Sequence, residues 1–201
     1  MEKNIMMMIG DTFPLTSLPA VTETGAMEKD YEFVNKDGYT VVFFYPLDLT
    51  FVCPTELLEF NSKLEEFTNR NTKVVSCSVD STHSHAAWRR TPVTQGGIGE
   101  VGYAMLSDMN RDLSDMLGIL NEDGVTYRAS YLLDKNGVIR HMVINDLPLG
   151  RSVDEMLRMV DALAFFEEHG EVCPAGWQKG QSGMKATLEG TTAYLTQKSA
   201  A

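Results

Sequence analysis

Residues 43–56 read FFYPLDLTFVCPTE and set a thiol, Cys53, between an apolar run and Pro54. Proline is favoured in the first turn of a helix, where its missing N–H needs no partner, so Cys53 falls in a first helical turn. Unpaired backbone N–H groups and the positive end of the helix dipole stabilise an anion there and raise the thiolate fraction, which favours nucleophilic cysteine chemistry. Thr50 lies three residues earlier. If the backbone already coils at that point, its hydroxyl is on the sulfur's side and can donate to a thiolate or to a bound oxygen. The competing reading is a buried, inert cysteine at a helix start with a threonine cap, since free cysteine often packs as a small hydrophobe.

The chain has three cysteines, Cys53, Cys77 and Cys173, an odd number at wide spacing that fits neither a disulfide framework nor a C-x-x-C pair. Cys77 sits among valines and serines and reads as core. His83-Ser84-His85 is the nearest approach to a metal site, but structural zinc draws four ligands from closely spaced pairs, so a polar loop or helix start is expected there. No metal and no cofactor is expected. The 201 residues are 43% hydrophobic with a formal net charge of -11. That composition suits one globular domain and opposes a nucleic-acid partner, because there is no basic excess to release counterions. The apolar run at residues 5–9 is too short for a secretory leader, and no segment approaches the ~20 apolar residues of a membrane span. A cytoplasmic protein with no membrane partner is expected. Of the twelve methionines, Met6 to Met8 are expected in a frayed N-terminus and the others on helical core faces.

The elements that must position Cys53 follow from hydrophobic periodicity. TVVFFYP (40–46) and KVVSCSV (73–79) read as strands buried on both faces. Between them, Leu57, Phe60, Leu64 and Phe67 recur at helical spacing, giving a βαβ unit. YRASYLLD (127–134) and VIRHMVI (138–144) form a hairpin around Asn136-Gly137, residues that tolerate positive φ. A long helix starts near Ser152, with Glu155 three residues on, and ends at Gly170. This order is that of a thioredoxin-like α/β domain. Residues 1–169 are assigned to it, with an N-terminal extension, and residues 170–201, rich in glycine, to a C-terminal arm.

The run YPLDLTFVCPTE closely resembles the active-site segment of the peroxiredoxins, Pro-x-x-x-Thr-x-x-Cys, here Pro46, Thr50 and Cys53. SVDS (78–81), HAAW (85–88), GGIG (96–99), NDLPLGRSVDE (145–155) and HGEVCPAGW (169–177) resemble the same family in the same order. The series covers nearly the whole chain and is similar to the typical two-cysteine peroxiredoxins, also called alkyl hydroperoxide reductase C proteins. The resemblance implies a peroxidase. Cys53 would attack a peroxide oxygen to give a sulfenic acid. Arg128 would hold the thiolate and polarise the peroxide, Arg151 would be a second positive group, and Glu56 would orient one of them. Pro46 would shield the sulfur from water. Ala129 stands where the family commonly has glycine.

The family pattern also implies that Cys173, 120 residues beyond Cys53, resolves the sulfenic acid as an intersubunit disulfide in a homodimer. Thioredoxin or a flavoprotein disulfide reductase would then reduce that disulfide, and five dimers would close a decamer in which a loop following Cys53's strand and the Trp88 region supply apolar surface. GGIG and a C-terminal Tyr194-Leu195, where Tyr-Phe is usual, imply intermediate sensitivity to overoxidation. Two other classes are separable from this reading. A thiol–disulfide oxidoreductase would need a C-x-x-C pair, which Cys53-Pro54-Thr55-Glu56 lacks. A holdase chaperone activity would be an addition to peroxide reduction.

Overall fold

The computed structural model describes residues 7–199. The chain divides into two compact units, the first ending at Val153 and the second starting at Asp154. The first unit is built on strands β1 (Ser17–Val21), β2 (Met27–Glu32), β3 (Tyr39–Phe44), β4 (Thr72–Ser78), β5 (Ala104–Ser107), β6 (Arg128–Leu133) and β7 (Ile139–Asn145). They form one sheet in the order β2-β1-β5-β4-β3-β6-β7. The apolar runs at 40–46 and 73–79 are the adjacent central strands β3 and β4, paired in parallel, while β6 pairs antiparallel with both β3 and β7. Strands β3, β4 and β6 are almost wholly buried, as continuous apolar runs require.

Alternation along β3 assigns its side chains to two layers. Val42 and Phe44 join Phe33, Val75, Leu106 and Tyr131 in one core cluster, which also holds Cys77. On the other face, Phe43 stacks at 4.0 Å on Phe60 of α1 (Cys53–Ser62) and meets Tyr103 edge-on at 5.6 Å. The helical stretch that spacing predicts as one helix is two, α1 and α2 (Leu64–Thr68), with Lys63 out of helical register between them. The break has one local and one tertiary contributor: the Ser62 hydroxyl donates to the Glu59 carbonyl, and Asn61 Oδ1 accepts the Gly102 N–H at 2.7 Å.

In the β6–β7 turn only Gly137 takes positive φ, +74°, because the Asp134 carboxylate accepts the Asn136 and Val138 N–H groups and keeps Asn136 out of that region. Only some methionines follow the expected helical faces: Met156 is buried in the long helix that begins at Val153, but others lie elsewhere. Met105 is buried in β5, Met27 is half exposed in β2 and Met7 packs on the core, while Met6 lies outside the described residues. Trp88 lies in α3 (Thr82–Arg90). It is fully buried with its indole N–H donated to the Gly96 carbonyl at 3.0 Å, so it offers no surface to a second molecule. A short helix, α4 (Asp112–Met116), follows β5, its first turn held by the buried Asp108 carboxylate, which accepts the Leu113 and Ser114 N–H groups. No helix among the described residues is long and apolar enough to cross a membrane.

The second unit contains nearly all of α5 (Val153–His169), which Gly170 ends at φ +67°, and α6 (Leu188–Ser199). Between them, Trp177 is buried and its ring lies 4.9 Å from that of Phe165 on α5. Leu195, on α6, is 55% exposed.

The GGIG loop closes the carboxyl end of α3, and its two leading glycines are needed for different reasons. Gly96 adopts φ +82° with open space around it, whereas a Cβ on Gly97 would run into the Thr91 backbone carbonyl. Gly97→Ala should therefore lower the stability by about 2 kcal/mol through forced displacement of the chain. Gly96→Ala carries only the left-handed penalty of about 1 kcal/mol. Urea midpoints for the two variants check the order, and an equal loss in both would contradict it.

Candidate active site

The site assembles where the carboxyl end of β3 gives way to α1 and where β6 and the segment after β7 come alongside. Cys53 is the first residue of α1 and is 1% exposed, and Pro54 follows it in the first turn as the sequence requires. The chain from buried Pro46 to Val52 is a tight loop. Leu49 takes φ +56° within it, the left-handed region that a bulky side chain rarely adopts, so surrounding contacts must hold it there.

Those contacts come from Asp48. Its N–H is donated to Asp80 at 2.9 Å, and its buried carboxylate accepts from the Tyr45 hydroxyl (2.8 Å), the Ser84 hydroxyl (2.7 Å) and His85 Nδ1 (2.9 Å). The other nitrogen of the His85 ring faces the Leu106 carbonyl at 3.1 Å. Burial first, and the Asp48 charge second, raise the Asp80 carboxyl above its ordinary value. The SVDS and HSH runs therefore build the peg that fixes the loop. Among the described residues no cluster of His, Cys, Asp and Glu is suited to a metal.

The fixed loop delivers Thr50. Its Oγ1 lies 2.9 Å from Cys53 Sγ and 2.8 Å from the Leu47 carbonyl. A hydroxyl has one proton, which goes to the sulfur when the sulfur is a thiolate and to the carbonyl when the thiol supplies its own donor.

Arg128 and Arg151 enter from the other side. Arg128 opens β6, where its side chain is 5% exposed, and Nη1 lies 3.5 Å from Cys53 Sγ and 2.7 Å from Glu56 Oε2. Its Nε donates to the Leu147 carbonyl at 2.6 Å. Arg151 grips the same carboxylate in bidentate fashion, Nε to Oε1 and Nη2 to Oε2 both at 2.8 Å, and its backbone N–H adds a third bond to Oε1 at 3.0 Å. Its Nη1 donates to the carbonyls of Phe44 and Ala129 at 2.6 and 2.7 Å, and the guanidinium lies 5.3 Å from the Phe43 ring. Ala129 lies in the buried strand β6 without positive φ, so its methyl is accommodated where glycine is commonly found.

Glu56, one turn after Cys53, thus orients both arginines. Burial pushes its carboxyl up, but the Arg151 hydrogen bonds and the two guanidinium charges outweigh that and hold it below its ordinary 4.5. Two cations and one anion leave one positive charge in excess, and the group aimed at the sulfur is Arg128 Nη1. Among the described residues, Glu56 is the one carboxylate paired with either guanidinium.

Thr50, Cys53, Glu56, Arg128 and Arg151 are therefore brought together, and Pro46 is buried at the start of the loop that leads to them. Cys173 is in the second unit, half-buried, with its sulfur 3.5 Å from the Ala162 carbonyl, and burial raises its thiol while Arg158 opposes the rise. Cys77 is fully buried in the sheet, and burial raises its thiol far above the ordinary range, in keeping with a structural role. The sequence reading missed Asp48, Tyr45 and His85. An Asp three residues after Tyr45 in a loop before a reactive cysteine was the available signal, but the partners lie 32 to 37 residues away in the chain.

Comparison with known proteins points the same way. A model of the AhpC/TSA family matches residues 9–142, and one described as the C-terminal domain of 1-Cys peroxiredoxin matches residues 162–197. Alkyl hydroperoxide reductase C of Helicobacter pylori is 46% identical over 196 residues, which cover 96% of this chain and 98% of that protein. Peroxiredoxin-1 of Gekko japonicus is 44% identical over 190 residues, 94% of this chain and 96% of that one. Among solved structures, the reduced 2-Cys peroxiredoxin of Plasmodium vivax is 40% identical with a TM-score of 0.91, covering 94% of this chain and 99% of that one.

The carboxylate between the two guanidiniums gives a test. Glu56→Gln strands two buried cations, so stability at neutral pH should fall by about 3 kcal/mol. Because the folded state holds the Glu56 proton less firmly than the unfolded chain, its contribution is present above pH 4.5 and is lost as the pH falls through its lowered value. The gap between wild type and variant should therefore narrow in acid. Urea titrations across that range check it, and a gap independent of pH would contradict the charge assignment.

Proposed function

This chain belongs to the AhpC/TSA family of thiol-dependent peroxidases, and on that premise we propose that Cys53 is the sulfur that attacks peroxide and Cys173 the one that resolves the product. The observation that carries the first assignment is the sulfur's setting, with Thr50 Oγ1 at 2.9 Å and Arg128 Nη1 at 3.5 Å. Both groups can donate to an anion, and the excess positive charge beside them suits a sulfur that acts as the nucleophile. Pro46, buried beside the site, excludes water from it.

In the first step the Cys53 thiolate forms an S–O bond with one peroxide oxygen as the O–O bond breaks. The leaving oxygen takes a proton and departs as water or an alcohol, and Cys53 becomes a sulfenic acid. Thr50 and Arg128, no longer facing a bare thiolate, direct their donors at the two oxygens while charge shifts onto the leaving one. Arg151 touches neither sulfur nor substrate in this scheme. It holds Glu56, and through Glu56 it holds Arg128.

In the second step the Cys173 thiol attacks the sulfenic sulfur, an S–S bond forms and water leaves. We place that bond between subunits of a homodimer. The support is the place of β7 at the edge of the sheet, beyond which no further strand lies among the described residues, although Ile139 at its start exchanges backbone hydrogen bonds with Gly10 and Asp11. Because Cys53 is buried in the first turn of α1, forming the disulfide must unwind that turn. Loosening it disturbs the adjacent loop, where Leu49 and Phe51 are 64% and 93% exposed. That apolar surface is the contact we assign to a decamer of dimers. Thioredoxin or a flavoprotein disulfide reductase returns the disulfide to thiols in this scheme, and a reducing compartment such as the cytoplasm suits a cycle of free thiols. A holdase activity draws no support from this geometry or from the relatives.

Two cysteine variants test the assignments. Cys53→Ser should abolish peroxide reduction and keep the fold, because the helix start accepts a hydroxyl as readily as a thiol. Cys173→Ser should consume one peroxide per subunit and then stall. Peroxide loss followed with the reducing system present decides both. Sustained turnover by either variant would remove that cysteine from its proposed role.

A further inference from the structure

The segment that carries Cys173 is fastened to α5, and Arg158 is its polar fastening. Its guanidinium is held in a fork by Glu155, Nε to Oε2 at 2.7 Å and Nη2 to Oε1 at 2.6 Å, and Nη1 donates to the Trp177 carbonyl at 3.0 Å. Trp177 is buried, rests on Phe165, and donates its indole N–H to the Gln181 carbonyl at 3.0 Å. At the other end, Val172 and Met184 exchange backbone hydrogen bonds at 2.9 and 3.0 Å. Between these two ties, the Cys173 sulfur faces inward, its thiol directed at the Ala162 carbonyl one helical turn beyond Arg158. A sulfur so placed must leave α5 before it can form a bond with another sulfur.

We propose that Arg158 is a latch on the resolving cysteine: by hooking the Trp177 carbonyl it keeps the Cys173 segment parked on α5 and sets how often that thiol is released. The inference rests on the reading of Cys173 as the resolving thiol. An ion pair also ties this segment to α5, Lys179 with Asp161 at 3.2 Å, but its lysine side chain is 67% exposed, and such a pair holds little. Arg158 is different in kind, because its planar fork is fixed by one partner while a third donor reaches another. Its charge acts in the opposite direction, since it opposes the rise that burial imposes on the Cys173 thiol. The two roles therefore separate by sign: removing the charge alone makes the thiol less reactive, whereas opening the latch makes it more accessible.

The experiment compares alkylation of Cys173 by a neutral reagent in Cys53→Ser protein with and without Arg158→Met. The latch predicts roughly tenfold faster labelling, the worth of one charge-assisted hydrogen bond. Labelling that is unchanged or slower overturns it. Arg158→Lys should label as fast as the Met variant, because an ammonium cannot keep the fork and the hook together, and restoration of the slow rate by lysine would also overturn the proposal. Lys179→Met should leave the rate as it is. In the chain with Cys53 intact, Arg158→Met should speed disulfide formation after a single peroxide pulse by the same factor, with the initial consumption of peroxide unaltered. Labelling does not depend on catalysis, so a wrong assignment of Cys173 would show as fast labelling without a faster disulfide, and a wrong latch as slow labelling.

Discussion

Two guanidiniums share one carboxylate beside the first turn of α1, and the charge that remains is matched to a sulfur. Arg151 and Glu56 neutralise each other through two side-chain bonds and one backbone bond. Arg128 is then the cation without a full counter-ion, and its Nη1 divides between Glu56 and Cys53. In a buried site this arithmetic has consequences, because an unbalanced charge in low dielectric is costly until an anion joins it. In the proposed mechanism the Cys53 thiolate is that anion. One site thus meets two requirements, the solvation of a buried cation and the activation of a nucleophile.

The fold exists around that balance in a literal sense. β3 ends at the loop that leads to Cys53, β6 opens with Arg128, and Arg151 follows the strand β7 that pairs with β6. Arg151 bonds the Phe44 carbonyl at the end of β3 and the Ala129 carbonyl in β6, so it ties the neighbouring strands together as it orients Glu56. On the opposite side, Asp48 pins the loop to β4 and α3 through Asp80, Ser84 and His85, and the strained Leu49 places Thr50 against the sulfur. Acceptors and donors come from elements distant in sequence, and each is fixed by a rigid strand or by a buried carboxylate.

Much of this was legible in the sequence, and the limits of legibility have physical causes. Cys53 before Pro54 marks a helix start by local sterics alone, and the paired apolar runs mark β3 and β4 by their lack of polar alternation. Thr50 could be placed on the sulfur's side on the condition that the chain coils there, and the αR conformation at Val52 meets that condition. Arg128 and Arg151 were found by resemblance, since no local pattern brings residues 75 and 98 positions away to Cys53. The Asp48 network escaped because its members are polar groups in loops and in the first turn of α3, which local reading assigns to solvent. The break at Lys63 and the burial of Trp88 depend on tertiary partners, Gly102 and Gly96, that periodicity does not contain.

The charge balance can be tested by restoring it with a second substitution. In a background of Cys173→Ser, the rate at which a neutral alkylating reagent modifies Cys53 at neutral pH reports the thiolate present. Arg128→Met leaves Arg151 and Glu56 as a neutral pair and should slow that modification by roughly a hundredfold, as loss of one preorganised charged donor does elsewhere. Adding Glu56→Gln to the same chain frees the Arg151 charge, and the rate should recover in part even though a second buried group has been removed. A double variant as slow as Arg128→Met, or slower, would contradict the claim that excess positive charge holds the sulfur in its reactive form.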